Sequence, residues 1–365
     1  MRLLLWGNYF PLIGGVETFL RHLAGALTAR GIEVGILSDG KELRSWRDEA
    51  WPVWNVPMTA AMHRNDPEKI LTAAKAVRRV IGDFLPDLLH YHSNQDVLFF
   101  DLALRRDPRP AVATLHHARL TGGERGSLQM LLRSCLAVTA VSNQVAREIA
   151  EIDSSARTIV IPNAIPPRPD PVPYPANKRI FGLGRLIPDK GFDILLAAFA
   201  IVLRSHSGAR LVIAGEGPDR EILQAEAKTL GIESAIEFPG WIRPGDVHAA
   251  ISASAMLVVP SRWQEPFGLV ALEAAEAARP CIATRVGELP AIIVEGETGL
   301  VVPSEDPEAM AAAVARLLDH PEEAAAMGKK ARARSRQEYG FERMIDRYVD
   351  VYERYSGAPR LRQLG

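Results

Sequence analysis

Short apolar runs alternate with longer amphipathic stretches along almost the whole chain, and this alternation constrains the fold more than any other feature. The apolar runs occupy residues 3–6, 34–37, 88–91, 111–115 and 137–141, then residues 179–183, 211–214, 236–238, 256–259, 281–284 and 299–302. Runs that are apolar throughout are typical of parallel strands covered on both faces. The stretches between them have helical spacing, as at Phe19, Leu23 and Leu27. The alternation therefore predicts an α/β fold of doubly wound parallel sheets.

A proline-rich segment divides this alternation into two parts. Seven of the 15 residues 161–175 are prolines, which neither a helix nor a central strand accommodates. A chain of 365 residues also exceeds what one core usually holds. We predict an N-terminal Rossmann-like domain over residues 1–165, a linker over 166–178 and a C-terminal Rossmann-like domain over 179–340. A crossover helix and tail, residues 341–365, are predicted to return to the N-terminal domain.

The composition excludes several classes of protein. With 47% hydrophobic and 24% charged residues the chain is globular, and its net charge of −1 disfavours nucleic acid as a partner. Its two cysteines, Cys135 and Cys281, form neither a disulfide scaffold nor a metal-ligand spacing. The apolar residues 1–6 are interpreted as a buried strand rather than a signal peptide. We therefore expect a cytoplasmic protein.

Two facing domains of this class are predicted to bind ligands in a central cleft, at the carboxyl ends of their strands. In the first domain, Gly14 and Gly15 lie between the first strand and the first helix. Adjacent glycines let the backbone approach a ligand, and the free N–H groups of a helix start favour an anion. A tight turn without any ligand explains the same pair equally well.

In the second domain, the loop 184–191 follows the strand predicted over 179–183 and carries Arg185 and Lys190. Two cations there suit a diphosphate that is held without a metal. The chain has no Asp-x-Asp pair, the usual clamp for a nucleotide-bound metal, and we expect no metal cofactor. Solvated surface charge is the alternative interpretation. The glycines here lack the spacing of a dinucleotide fingerprint, which disfavours a dehydrogenase.

The strongest single motif is Glu265 followed eight residues later by Glu273. Pro266 and Gly268 keep Glu265 in a loop and let a helix begin near residue 269. Free amides at the helix start would then accept a phosphate, with one carboxylate on either side. Carboxylates also accept paired hydroxyls well, so sugar and ribose diols are natural ligands. An ordinary helix with acidic residues near its start is the simpler alternative.

These motifs occur in an order that is specific to one family. They are Gly14-Gly15-Val16-Glu17, Gly184-Arg185-x4-Lys190-Gly191, Ala214-Gly215-Glu216-Gly217-Pro218, Pro260-Ser261, Glu265-x7-Glu273 and Thr298-Gly299-Leu300-Val301. Over nearly its whole length the chain resembles retaining nucleotide-sugar glycosyltransferases of the GT-B fold, specifically glycosyltransferase family 4. The resemblance implies transfer of a sugar from a nucleoside-diphosphate donor with retention of anomeric configuration.

The resemblance also implies roles for the matched residues. Arg185 and Lys190 would neutralise the departing diphosphate, and His116 would line the catalytic centre beside the donor sugar. Glu265 would contact that sugar, and Glu273 would hold the ribose hydroxyls. The other donor-binding matches are Gly14, Gly15, Gly215, Gly217, Trp241, Phe267, Gly268 and Leu269.

Histidines cluster at the ends of two predicted strands. His90 and His92 end the strand at 88–91, and His116 follows the strand at 111–115. A metal site is one interpretation of the His-x-His spacing, but no carboxylates accompany it. We favour a hydrogen-bonded structural role for His92.

One segment departs from the family pattern, and another bears on the acceptor. The family commonly has Gly-Gly-x-Pro-Glu after its penultimate strand, whereas residues 287–291 read Gly-Glu-Leu-Pro-Ala, so the carboxylate has moved to Glu288. Residues 118–133 place Arg119, Arg125 and Arg133 among leucines. This segment is interpreted as an acceptor-side segment, a peripheral contact with anionic lipid, or an ordinary surface helix.

The sequence thus favours a retaining hexosyltransferase with a nucleotide-sugar donor such as a UDP or GDP sugar. Its acceptor would be a glycan, a lipid-linked sugar or a small molecule, as in polysaccharide biosynthesis. A front-face mechanism is expected, with covalent attack by Glu265 left open. An epimerase or phosphorylase of the same fold, or a catalytically silent nucleotide-sugar-binding subunit, are the alternatives.

Overall fold

A computed structural model describes residues 1–7, 14–38, 51–57, 66–92, 104, 108–118 and 124–357. The chain forms two compact units. The first unit comprises Met1–Asn163 together with Glu342–Gly365, and the second comprises Ala164–Phe341. The expected α/β class with two Rossmann-like parallel sheets is confirmed, one sheet in each unit.

The first unit is built on a seven-stranded parallel sheet of order β3-β2-β1-β4-β5-β6-β7. Its strands are β1 (Arg2–Gly7), β2 (Glu33–Ser38), β3 (Val53–Asn55), β4 (Leu88–Tyr91), β5 (Ala111–Leu115), β6 (Ala137–Ala140) and β7 (Thr158–Val160). Its helices are α1 (Gly15–Ala29), α2 (Pro67–Phe84), α3 (Glu124–Ser134) and α4 (Asn143–Ile152). Strands β1, β4 and β5 are almost wholly buried, as their continuous apolar runs predict.

Strands β3 and β7 were not predicted, because each has only three residues and neither is fully buried. β3 is held at the sheet edge by aromatic packing. The Trp54 and Phe84 rings lie 5.4 Å apart, edge to face, and they cover Gly35, where a Cβ would come within 2.7 Å of the Trp54 ring. The absence of a side chain at Gly35 therefore makes room for this edge strand.

The second unit is built on a six-stranded parallel sheet of order β10-β9-β8-β11-β12-β13. Its strands are β8 (Arg179–Leu183), β9 (Arg210–Ala214), β10 (Ile236–Gly240), β11 (Met256–Val259), β12 (Cys281–Thr284) and β13 (Gly299–Val302). Its helices are α5 (Phe192–Leu203), α6 (Arg220–Thr229), α7 (Pro244–Ser252), α8 (Leu269–Glu276), α9 (Leu289–Ile292), α10 (Pro307–Asp319) and α11 (Pro321–Glu338). Every strand predicted for this half of the chain is present.

Helix α11 was not predicted, because its buried face is made, apart from Met327, of small residues rather than of large apolar ones. Ala324, Gly328 and Ala331 are buried on that face. A Cβ at Gly328 would lie 2.1 Å from the Ala278 carbonyl oxygen. Close backbone approach therefore replaces the apolar stripe by which amphipathic helices are usually recognised.

The proline-rich segment, predicted as an extended linker, packs on the second unit. The guanidinium of Arg279 is 1% exposed and lies 5.5 Å from the Tyr174 ring. Its five N–H groups lie within hydrogen-bond distance of six backbone carbonyl oxygens, so that one N–H is shared; these belong to Val172, Pro173, Ser252, Ser254, Ala277 and Ala278. One buried cation thus fastens the segment to α7 and to the end of α8.

We expect Arg279→Met to lower the free energy of unfolding by at least about 3 kcal/mol, because it leaves several buried carbonyl groups without donors. Chemical denaturation monitored by circular dichroism measures this change. The matched control is Arg204→Met, at an exposed arginine, for which a change within about 0.5 kcal/mol is expected. Equal stability of the two variants would contradict the role given to Arg279.

The C-terminal helix α12 (Phe341–Tyr355) returns to the first unit, which confirms the predicted crossover. Arg30 at the end of α1 forms ion pairs with Glu342 at 2.7 Å and Asp346 at 2.6 Å. The Tyr352 hydroxyl lies 2.8 Å from Nδ1 of His90 on β4. Within the described residues, no helix combines the length and apolar character needed to cross a membrane.

Candidate active site

Loops after β8, β11 and β12 meet at the carboxyl edge of the second sheet, and two glycines allow their close approach. Gly191 has φ of +65°, and a Cβ there would lie 2.1 Å from the Pro260 carbonyl oxygen. Gly287 has φ of +56°, and its Cβ would lie 2.1 Å from the Glu265 carbonyl oxygen. Larger residues at either position would force these loops apart.

The cluster at this junction consists of Lys190, Glu265 and Ser261. Lys190 Nζ and Ser261 Oγ each lie 2.5 Å from the same oxygen, Oε1 of Glu265. The Glu265 side chain is 8% exposed and that of Lys190 is 21% exposed. Oε2 of Glu265 has no hydrogen-bond partner among the described residues. The site thus holds a fixed carboxylate with one oxygen left for a ligand.

Lys190 also makes a cation–π contact, since its Nζ lies 5.5 Å from the centre of the Trp263 ring. An ammonium group has three N–H donors, and within the described chain only Glu265 accepts one of them from a side chain. Lys190 therefore keeps donors for an anionic ligand while it remains paired with Glu265.

Arg262 braces the turn that carries Lys190. Its guanidinium donates to both carboxylate oxygens of Asp193. It also donates to one carboxylate oxygen of Glu305 and to the Pro188 carbonyl oxygen. The Arg262 backbone N–H donates to the Asp189 carbonyl at 2.9 Å. These carboxylates raise the pKa of Arg262 further above its usual value, so the brace stays charged at any ordinary pH.

Helix α8 begins beside this cluster. Gly268 precedes its first residue with φ of +104°, and the first N–H groups of a helix have no acceptor within it. Glu273 lies one turn into the same helix and is half-buried. Burial raises the pKa of its carboxyl to about 7, opposed in part by the charge of Arg168. No side-chain hydrogen bond to Glu273 is present among the described residues.

Arg185 lies in the loop after β8 and is exposed, without an ion pair in the described part of the chain. Gly215 and Gly217 pack directly against the backbone of this loop, where a side chain would not fit. A Cβ at Gly215 would lie 1.8 Å from the Gly184 carbonyl oxygen, and one at Gly217 would lie 2.1 Å from that of Leu186. The two predicted donor-site glycines therefore place the Arg185 loop.

Trp241 directly follows β10 and is 47% exposed. The Gly215 N–H donates at 2.8 Å to the carbonyl of Gly240, the residue before Trp241. Trp241 thus lies at the same sheet edge as the glycine loop, although its ring packs on no other aromatic ring or cation among the described residues. Phe267, by contrast, is buried and packs edge to face on Tyr339 at 5.7 Å, so its ring is not available for contact with a ligand.

In the first unit, the expected anion site at the start of α1 is already partly occupied by a side chain. The Gly14 N–H donates to Oε2 of Glu17 at 2.7 Å, and Glu17 is buried. This capping carboxylate opposes a second anion at Gly14. The donor-binding role of Gly14 stays a prediction, and the Gly15 N–H has no acceptor among the described residues. Residues 11–13 of the predicted loop lie outside the described chain.

The predicted histidines come together at the carboxyl edge of the first sheet. His92 Nδ1 lies 3.1 Å from Nε2 of His116, and the His90 and His92 rings are 3.9 Å apart. Burial lowers the pKa of His90 and of His116 to about 3, and that of His92 well below its usual value. All three rings are therefore neutral near pH 7. No metal-binding group of three is found among the described residues.

Sequence reasoning did not assign roles to Ser261, Arg262 or Trp263, although all three lie within four residues of Glu265. The role of each of these residues depends on which loops pack together, and the sequence alone does not show that. The displaced Glu288 is buried, and its N–H donates to the Glu265 carbonyl at 2.9 Å. The changed segment therefore still supports the backbone of Glu265.

Two family models match adjoining parts of the chain. The model described as Glycosyltransferase Family 4 matches residues 13–169, and the model described as Glycosyl transferases group 1 matches residues 168–334. The boundary between them coincides with the proline-rich segment.

Curated relatives resemble the chain over most of its length. A glycogen synthase of Mycobacterium tuberculosis is 27% identical over 400 residues, with 96% of this chain and 94% of the relative covered. A GDP-mannose-dependent alpha-(1-6)-phosphatidylinositol monomannoside mannosyltransferase of Mycolicibacterium smegmatis is 28% identical over 359 residues, covering 89% of this chain and 91% of the relative.

Among solved structures, HepE of Anabaena in complex with UDP-glucose has a similar fold. The TM-score is 0.82 at 18% identity, and the match covers 97% of this chain and all of HepE. At this identity the likeness concerns the fold alone.

Proposed function

This chain belongs to glycosyltransferase family 4, and on that premise we propose that it is a retaining, metal-independent hexosyltransferase. It takes a hexosyl group from a nucleoside-diphosphate sugar and passes it to a hydroxyl group of a glycan, a lipid-linked sugar or a small molecule. The observation that carries the proposal is the junction of Lys190, Glu265 and the start of α8 at one sheet edge. HepE, bound to UDP-glucose, and the mannosyltransferase, named for its GDP-mannose dependence, support such a donor.

The diphosphate is the group that this junction suits best. Lys190 keeps free N–H donors, the exposed Arg185 adds a second cation, and the first amides of α8 add neutral donors. As the bond to the sugar breaks, negative charge grows on the phosphate oxygens. Donors already fixed in place stabilise that charge without reorganising.

Glu265 is proposed to contact the transferred sugar through Oε2. Its Oε1 is engaged by Lys190 and Ser261, so the carboxylate is held in one orientation, with Oε2 directed at the positive charge of an oxocarbenium-like transition state. The leaving phosphate oxygen then accepts the proton of the acceptor hydroxyl on the same face of the sugar, which gives retention. Proton nuclear magnetic resonance of the first product formed is expected to show the anomer of the donor; the opposite anomer would contradict this course.

Glu273 is proposed to accept the ribose hydroxyls, which requires its carboxylate form. Because burial raises its pKa to about 7, the protonated form predominates below that pH and the donor binds less well. We expect the Kd of the nucleotide to rise about tenfold as the pH falls from about 8 to about 6. Isothermal titration calorimetry measures this change. In Glu273→Gln the pH dependence should disappear; a variant that keeps it would exclude Glu273 as its source.

Thermal-shift screening against uridine and guanosine diphosphate sugars tests the donor class. A ligand at about a hundred times its Kd adds about 2.7 kcal/mol of stability. Turnover of the stabilising donor is then measured after treatment with a chelator, with and without a panel of hydroxyl acceptors. Glycosylated product despite the chelator is the expected result. A new sugar isomer without acceptor would indicate an epimerase, and binding without any turnover a silent subunit.

A further inference from the structure

His92 and His116 share one hydrogen bond in the core of the first unit. Nδ1 of His92 lies 3.1 Å from Nε2 of His116, and the two side chains are 6% and 9% exposed. His116 thereby loses one of its two ring nitrogens to an internal contact. If its ring meets a substrate, it does so through Nδ1, which has no hydrogen-bond partner among the described residues.

The other nitrogen of His92 indicates where the shared proton lies. Nε2 of His92 is buried and has no hydrogen-bond partner within the described chain. A neutral imidazole carries one N–H and one bare nitrogen. Burying an N–H donor without an acceptor is rarer in proteins than burying an unused acceptor. The proton of His92 therefore belongs on Nδ1, where it has an acceptor.

We propose that His92 is a positioning residue, which donates its Nδ1–H to Nε2 of His116 and so keeps the His116 proton on Nδ1, the nitrogen that is left to donate to a hydroxyl of a ligand. The inference rests on the proposed function only for the identity of that hydroxyl. His116 then acts as a neutral hydrogen-bond donor and not as a general base. Its low pKa, caused by burial, agrees with a ring that never becomes charged.

Packing on several sides holds the His92 ring in the orientation that this bond requires. The His90 ring packs against it at a tilt, with the ring centres 3.9 Å apart, and is fixed in turn by Thr114 at 2.7 Å and by the Tyr352 hydroxyl at 2.8 Å. Phe19 lies 5.7 Å from His92 and 5.1 Å from His116. The orientation of His116 thus depends on elements from both ends of the chain.

The tautomer can be read directly in the full chain labelled with isotopic nitrogen in histidine. Two-bond proton–nitrogen correlation spectra distinguish a protonated from a bare ring nitrogen, and the His116→Gln variant assigns the signals. We expect Nδ1 of His116 to be protonated and Nε2 to be bare. Protonation at Nε2 of His116 would overturn the proposal, whatever reaction the protein catalyses, because the measurement needs no substrate.

Kinetics then test whether the tautomer matters. His92→Asn offers an amide N–H near the place of Nδ1, whereas His92→Leu offers no donor. We expect kcat to fall about tenfold or more in His92→Leu, with partial recovery in His92→Asn and no change in the Kd of the nucleoside diphosphate found by screening. Melting curves show whether each variant folds. Equal kcat in folded His92→Leu and wild type would overturn the positioning role, as would an unchanged His116 tautomer in that variant.

Discussion

Replacing Lys190 by alanine is expected to lower kcat/KM by a factor of ~10² to 10³, or roughly 2.7–4 kcal/mol of transition-state stabilisation. Lys190 is the cation fixed nearest to Glu265, and its remaining N–H groups are proposed to meet the charge that develops on the leaving diphosphate. Steady-state kinetics with the identified donor measure the effect. Lys190→Met should lose as much, because it keeps an unbranched side chain but not the charge.

The matched control is Lys228→Ala, at an exposed lysine in the last turn of α6. It should retain wild-type kinetics, because its charge is solvated and lies outside the cluster. If Lys190→Met folds and turns over at the wild-type rate, the leaving group is not neutralised by this side chain and the assignment of the site is wrong.

Glu265→Gln is expected to reduce kcat by a similar factor, ~10² to 10³, while the donor still binds. The amide keeps the size of the side chain, and its oxygen can still accept from Lys190 and Ser261, which lie 2.5 Å from Oε1. What is lost is the negative charge beside the sugar. Single-turnover kinetics with saturating donor separate this loss from any change in affinity.

Glu297→Gln, at an exposed glutamate, controls for the change of charge and should be kinetically silent. Because Glu265→Gln preserves the contacts of the site, its melting temperature should stay close to that of the wild type. A folded Glu265→Gln enzyme with unchanged kcat would remove the electrostatic role proposed for this carboxylate.

The fold was predictable where burial acts on both faces of a strand, and less so elsewhere. The runs that became β8, β11 and β12 are apolar at nearly every position, because helices cover both sides of the sheet. Strands β3 and β7 lie at the two edges of the first sheet, where burial is incomplete and the apolar signal is lost. Packing of the whole unit, rather than local preference, determines such edges.

The candidate site was predictable in its residues but not in its contacts. Lys190 and Glu265 each lie in a loop after a predicted strand, with a second residue of the same charge nearby. Parallel strands bring their carboxyl ends to one edge of the sheet, so these loops were expected to form the site. That the two would be paired with each other, with Ser261 on the same oxygen, depends on loops that meet only after folding. The contact at Gly14 is local instead, because Glu17 three residues later accepts its N–H. It is one half of a capping box, since glycine has no side chain to accept a bond in return, and the spacing of Gly14 and Glu17 in the sequence could have predicted it.

The most direct test of the account is a crystal structure of the chain with the nucleoside diphosphate selected by screening, grown with a chelator and again with magnesium. We expect the diphosphate to lie within hydrogen-bond distance of Lys190 Nζ, Arg185 and the first amides of α8, in the same position under both conditions. A nucleotide bound away from these groups, or a divalent ion bridging its phosphates to the protein, would contradict the central claim.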